Sequence, residues 1–180
     1  MKEHTLPLPL PDPPLQDGDL VLRPWSVADV DVLVAAWHDP EIERWTAVPE
    51  QRDSGTALRW ILGDADRRAR GLSLDLVAIV DGMVVGEVGL SDIDTSARTA
   101  EVGWWVAAAR RSRGLAARSA GLLTEWALAE LCLDLLVARC HEENPASGGV
   151  ARAAGFAPHR REGGIELWTL AADSGATIGA

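Results

Sequence analysis

Four arginines, Arg110, Arg111, Arg113 and Arg118, fall within nine residues around a single glycine, Gly114. An apolar strand pattern, Glu101 to Val106, precedes them, and a long helical pattern follows. A strand that enters a glycine-containing loop and then opens a helix leaves several backbone N–H groups without partners at the positive end of the helix dipole. The chemistry of such a segment is anion binding. The local charge agrees: no acidic residue lies between Glu101 and Glu125, while the 180-residue chain carries a net charge of −10, which leaves −14 for the rest. Gly114 also admits the backbone close to a phosphate with no Cβ in the way. A nucleotide-binding P-loop is excluded, because the loop lacks the Gly-Lys-Ser/Thr ending whose lysine and hydroxyl do that chemistry.

The elements that must position this loop can be read on either side of it. Residues 1–18 are rich in proline and poor in core-forming positions, which predicts an extended arm or a disordered lead-in. Leu20 to Arg23 reads as a strand stopped by Pro24. Ser26 caps a helix with Val27, Val30, Leu33, Val34 and Trp37 on its inner face, ended by Pro40. A polar loop holding Trp45 leads to a second helix, capped by Asp53 or Ser54 and closed by Gly71, with Leu58, Trp60, Ile61 and Ala65 turned inward. Leu74–Val80 and Met83–Leu90 flank Asp81-Gly82, a two-residue hairpin signal. In the next strand, Thr99 to Val106, alternation puts Glu101, Gly103 and Trp105 on one face. The helix from about Gly114 to Leu131 follows, with Leu115, Leu122, Leu123, Trp126 and Leu131 inward. Leu135 to Cys140 then reads as a buried strand, parallel to its neighbour because a crossover helix precedes it. The loop from Glu142 to Ser147 opens a short helix closed by Gly155, and Phe156–His159 with Ile165–Leu170 forms a closing hairpin. Residues 19–171 thus read as one mixed α/β domain, and 172–180 as a tail.

Composition narrows the partners. With 47% apolar and 24% charged residues the chain is that of an ordinary globular protein. No apolar run approaches the roughly 20 residues of a membrane helix, and the N-terminus is no signal peptide, so a cytoplasmic address without membrane is expected. A sequence pI near 4.8 argues against nucleic acid as partner and favours a cationic one if charge reflects a partner at all. The two cysteines, Cys132 and Cys140, lie among apolar residues and read as buried and reduced. The four histidines, His4, His38, His141 and His159, are scattered, and no metal site is expected. Eight tryptophans stand against one phenylalanine and no tyrosine.

Arg111-Ser112-Arg113-Gly114-Leu115-Ala116 resembles the Arg/Gln-x-x-Gly-x-Gly/Ala signature of the GNAT superfamily of N-acetyltransferases. Leu22-Arg23-Pro24-Trp25, Ala100 to Val106, Asn144-Pro145-Ala146-Ser147 and Ala153-Ala154-Gly155-Phe156 extend the likeness across residues 19–171, toward the RimJ/RimL-like branch. The resemblance implies a GNAT fold: a mixed, mostly antiparallel sheet splayed between its fourth and fifth strands and flanked by about four helices. It implies acetyl-CoA as acyl donor, with Arg111, Arg113, Gly114, Leu115, Ala116 and Ala117 around the pyrophosphate, and Trp105, Val106 and Asn144 along the pantetheine arm. Dimerisation is implied by the same likeness.

An amine that attacks a thioester directly must be neutral, the carbonyl must be polarised, and the departing thiolate must be stabilised. By resemblance Ser147 is the acid, although it could equally be the cap of its helix; the tyrosine that serves many GNATs is absent from this chain. Glu101 is the first candidate for base or ammonium anchor, with Glu87 reaching the same cleft through a water and His141 third. Each of these carboxylates could instead simply face solvent. Trp37 and Trp45 fall where the fold builds its acceptor wall and could stack on a cationic substrate. The acceptor is expected to be the amine of a small cationic metabolite or antibiotic. Peptide N-termini and a non-catalytic acyl-CoA-binding role are the alternatives.

Overall fold

The computed structural model describes residues 7–172. Its frame is an eight-stranded sheet in the order β1-β2-β3-β4-β5-β6-β8-β7. The strands are β1 (Leu15–Asp17), β2 (Leu20–Pro24), β3 (Leu74–Val80), β4 (Met83–Asp94), β5 (Thr99–Val106), β6 (Leu135–His141), β7 (Ala157–Glu162) and β8 (Ile165–Ala171). All neighbours pair antiparallel except β5 and β6, which are parallel. The expected mixed sheet with one parallel join is therefore present, and what were the fourth and fifth strands are β5 and β6 once β1 is counted. Asp81 and Gly82 both take positive φ, 52° and 74°, which suits the tight β3–β4 hairpin.

Among the described residues six α-helices flank the sheet: α1 (Val30–Trp37), α2 (Pro40–Trp45), α3 (Ser54–Leu62), α4 (Asp64–Ala69), α5 (Leu115–Glu130) and α6 (Pro145–Ala153). A large core of Leu74, Leu76, Val88, Leu90, Val102, Leu123 and Leu136 fills the face under α5 and α6. On the opposite face Trp25, Leu33, Trp37, Ala57, Ile61 and Val77 pack beneath α1 and α3. Burying a leucine of this kind is worth about 1.5–3 kcal/mol, so both layers contribute heavily to holding the sheet. Among the described residues no helix is long and apolar enough to cross a membrane.

Several expected elements are redrawn. Pro40 does not merely stop the first helix; it stands at the first position of α2, where a missing N–H costs nothing, and Asp39 caps that helix through the amides of Glu41 and Ile42. The second expected helix is split at Gly63 into α3 and α4, with Asp53 as the cap of α3. Its buried positions are Ala57 and Ile61 in α3 and Asp64 in α4, whereas Leu58 and Ala65, expected to face inward, are exposed. Residues 7–17 of the expected arm lie against the domain: Leu8 is buried, its N–H meets the carbonyl of Arg68, and β1 extends the sheet beside β2. Residues 1–6 and nearly all of the expected tail lie outside the described residues. Cys140 is buried, but Cys132 is exposed, because it sits at the positive-φ turn (53°) between α5 and β6.

One close approach shapes β4. The register shifts between Ala78 and Ile79, leaving Val85 as an extra residue of β4, and its carbonyl accepts from the Ala107 N–H at 2.9 Å. A Cβ on the adjacent Gly86 would run into the carbonyl oxygen of Trp105, whereas a Cβ on Gly103 would meet nothing within 4 Å. Gly86→Ala is therefore expected to lower stability in urea denaturation by about 1–3 kcal/mol. Gly103→Ala should change it little, and equal effects of the two would contradict this reading of the bulge.

Candidate functional site

β5 and β6 pair over only three residue pairs, Thr99↔Leu135, Ala100↔Leu136 and Glu101↔Val137. Beyond them the strands separate and open a cleft of about 750 Å³. Its walls are β5 from Val102 to Val106, the loop and helix start from Arg110 to Ala117, α2, and the end of β6 with α6. Along β5 the Ala107 N–H is turned toward β4, and so is the Trp105 carbonyl that crowds Gly86. Alternation then turns the backbone groups of Val102, Trp104 and Val106 toward the cleft. An unpaired strand edge thus borders the cavity, of the kind that accepts an extended ligand as an extra strand.

The donor loop is built from backbone. Gly114 takes φ +73° and no side chain caps α5. The first helical bond runs from the Arg118 N–H to the Gly114 carbonyl, so the amides of Leu115, Ala116 and Ala117 have no helical partner. Ser112 is also left-handed, at φ 61°, which helps fold the preceding amides into a concave nest. The guanidinium groups are mostly engaged elsewhere. Arg118 bonds Asp17 and Asp19 at 2.7 and 2.9 Å, so it ties α5 to the β1–β2 edge and is not simply solvated. Arg111 donates through Nε to the Val106 carbonyl at 3.0 Å and through Nη2 to Asp39 at 2.7 Å. Arg110 lines the cleft, and Arg113 is exposed beside it. These residues fit a pyrophosphate: convergent amides, a glycine without Cβ, and a positive helix end without a carboxylate in its first turn.

At the far wall Asn144, not Ser147, is the cap of α6; its Oδ1 accepts from the Ser147 N–H at 3.2 Å. Asn144 Nδ2 remains able to donate into the cleft. Ser147 lines the same cleft and its hydroxyl donates to Cys140 Sγ at 3.3 Å, a weak bond that a better acceptor would displace. Burial raises the Cys140 thiol above its ordinary pKa, keeping it protonated. Glu101 is half-buried at the base of the cleft. Burial pushes its carboxyl up, Asp92 adds to this, and Arg139 at 3.8 Å pulls it back.

Glu87 and Trp37 are placed differently from expectation. Glu87 does not line the cleft: its carboxylate is held behind the wall, accepting from Trp25 Nε1 at 2.6 Å and Trp105 Nε1 at 3.1 Å. Trp37 is only 6% exposed and packs with Leu33 and Val77, because its i, i+4 partner Leu33 already faces that core. Trp45 does line the cleft, from α2, with its ring 5.2 Å from His141 and Arg44 stacked 4.4 Å over it. Sequence reasoning missed Glu41, Ile42 and Ser91 as cleft-lining residues. The first two were hidden because α2 was read as loop, although the Asp39-Pro40 pair is itself a helix-start signal.

A splayed sheet with an amide cradle at the mouth of the splay defines an acyl-CoA-dependent transferase. The chain belongs to the GNAT acetyltransferase family: the family model described as acetyltransferase (GNAT) domain matches residues 19–157. An uncharacterized N-acetyltransferase p20 of Bacillus licheniformis is 25% identical over 130 residues, 71% of this chain and 73% of that protein. Among solved structures, Mycobacterium smegmatis RimJ in complex with a CoA disulfide matches with TM-score 0.77 and 20% identity, covering 88% of this chain and 86% of that one. Spermidine N-acetyltransferase from Vibrio cholerae, in complex with CoA and spermine, matches with TM-score 0.72 and 16% identity over 86% of this chain and 96% of that one. At these identities the structural likenesses show the shared fold.

The buried Glu87 makes a pH signature. Burial pushes its carboxyl from the ordinary value up to about 8, Asp75 adds to the rise, and the two indole donors with Arg67 oppose it. A carboxyl whose folded pKa lies above its unfolded one holds its proton in the native state, so its contribution is full below about pH 4.5 and is lost as pH rises through about 8. In Glu87→Gln the difference in melting temperature from wild type should move in the variant's favour between pH 5 and 9. A difference that stays constant across that range would remove Glu87 as a buried titrating group.

Proposed function

We propose that the protein transfers an acetyl group from acetyl-CoA directly to the primary amine of a small cationic acceptor. The observation that carries the reading is the single cleft in which the amide cradle of residues 111–117, the free edge of β5, Asn144, Ser147 and Glu101 all meet. The pyrophosphate falls to the cradle and the pantetheine arm to the open edge of β5 and to Asn144 Nδ2. The Val106 N–H polarises the thioester carbonyl, fixed because Arg111 holds the carbonyl of the same residue. Glu101 takes the proton of the incoming ammonium, a task its raised proton affinity suits. The amine nitrogen then bonds the acetyl carbon as the C–S bond breaks; Ser147 Oγ–H turns from Cys140 to give its proton to the thiolate while Oγ takes the second proton shed by the amide nitrogen, so the serine ends as it began. Glu87 acts one layer back, fixing the Trp105 indole in the wall.

The acceptor end supports a small cation. Glu41 and Glu101 line the cleft with carboxylates, and Trp45 beside them donates its indole N–H to Glu41 at 3.0 Å. α2 is tied across the mouth by Trp45–His141 and by Arg44–Glu143 at 2.9 Å, which narrows the approach for a peptide. Peptide N-termini form the second reading, favoured by the likeness to RimJ over 88% of this chain.

Thermal shift with acetyl-CoA, followed by thiol release across a panel of diamines, aminoglycosides and short peptides, tests the reading. Stabilisation with turnover of small amines is expected; turnover of peptides alone would select the second reading, stabilisation without turnover a binding role, and no stabilisation would end the donor assignment. Gly114→Asp should lose acetyl-CoA binding, since it adds bulk and negative charge at the cradle. Ser147→Ala should leave binding within about twofold and lower turnover by about 100-fold or more; unchanged turnover would take Ser147 out of the chemistry.

A further inference from the structure

α2 forms a wall of the cleft, and its two ends are held very differently. At its C-terminal end the Arg44–Glu143 pair is exposed on both sides, 56% and 77%, and such pairs contribute little, so that end rests on the Trp45–His141 ring contact and on Glu43, which accepts from Arg52. At its N-terminal end Asp39 is 13% exposed and its carboxylate makes three hydrogen bonds with two purposes. Oδ1 accepts from the amides of Glu41 at 3.0 Å and Ile42 at 3.4 Å, which starts the helix. Oδ2 accepts from Arg111 Nη2 at 2.7 Å. Burial works against the Asp39 charge, but Arg111 and the two amides hold its carboxyl below the usual range, so the ion pair persists across neutral pH.

Arg111 carries the connection onward. Its Nε donates to the Val106 carbonyl at 3.0 Å, and its own backbone begins the donor cradle. A guanidinium is planar and rigid, so two of its N–H edges fix the distance between the end of β5 and the start of α2 in a way a lysine ammonium cannot. One side chain therefore links three things: the loop around the donor phosphates, the strand end beside the thioester, and the helix facing the acceptor.

We propose that Asp39 is a positioning residue for acetyl transfer, which through Arg111 couples the donor loop to the acceptor-side helix so that ordering one orders the other. The proposal rests on the reading of residues 111–117 as the donor cradle. It makes α2 a wall set from its Asp39 end: the donor orders that end, and an acceptor entering past Trp45 meets a helix already oriented.

The test is hydrogen exchange of the full chain with and without CoA, read by mass spectrometry on peptides covering residues 110–118 and 40–47. In the wild type CoA should slow exchange in both segments. Asp39→Asn keeps a side-chain oxygen for the Glu41 and Ile42 amides but gives up the charge facing Arg111. In it, CoA should still protect residues 110–118 and no longer protect 40–47, with the CoA Kd raised about 5- to 10-fold, the low end of coupling between sites. Arg111→Lys, which keeps a charge near Asp39 but cannot also hold the Val106 carbonyl, should uncouple in the same way. A role in capping alone would instead speed exchange of 40–47 in the free protein and leave the response to CoA unchanged. Protection of 110–118 without protection of 40–47 in the wild type, or wild-type coupling in either variant, overturns the proposal and leaves the donor reading standing. No protection of 110–118 removes both.

Discussion

The parallel join between β5 and β6 is the constraint on which the rest of the structure depends. Its three residue pairs close the sheet at one end, and its failure beyond Glu101 and Val137 leaves backbone groups of β5 without a partner strand. Unpaired strand groups inside a protein are costly unless a ligand or water completes them. The splay is tolerated because its walls are anchored independently: β5 to β4 continuously from Glu101 to Val106, β6 to β8, and α5 and α6 against the large core beneath. The cavity is thus enclosed by rigid elements, and the ligand-facing groups are mainly backbone. That is how a net charge of −10 is compatible with the proposed polyanion site.

Behind the β5 wall the chemistry is different. Glu87 sits between the indoles of Trp25 and Trp105, whose rings are 6.3 Å apart, with Trp60 edge-on to Trp25 at 5.9 Å. Burying a carboxyl there costs desolvation, and the two indole N–H groups offset part of it. The return is orientation: an aromatic wall of the cleft is fixed by hydrogen bonds that point away from the cleft. Of the two carboxylates on this face, Glu101 meets the cleft and Glu87 braces it.

The parts legible in the sequence were those with local physical signatures. Asp81-Gly82 announced its hairpin because both residues must take positive φ, and Gly114 announced the loop because a left-handed turn before an uncapped helix needs a glycine. The family signature extended this to the splayed fold. Features set by tertiary contacts were not legible. Trp37 and Trp45 look alike in the sequence, yet one completes a core stripe with Leu33 and the other reaches the cleft from a helix only six residues long. Ser147 and Asn144 compete for the same cap, and only the geometry assigns it to Asn144. The tasks of Arg111 and Arg118 were hidden because their acidic partners lie 72 and 101 residues away.

A crystal structure of the protein with acetyl-CoA shows in one experiment where the donor lies. The pyrophosphate should sit on the amides of residues 113–117 at the start of α5, the pantetheine arm along the open edge of β5, and the thioester between Val106 and Ser147. Acetyl-CoA bound outside the β5–β6 splay, or with its phosphates held by arginine side chains away from Gly114, would overturn the proposed donor site.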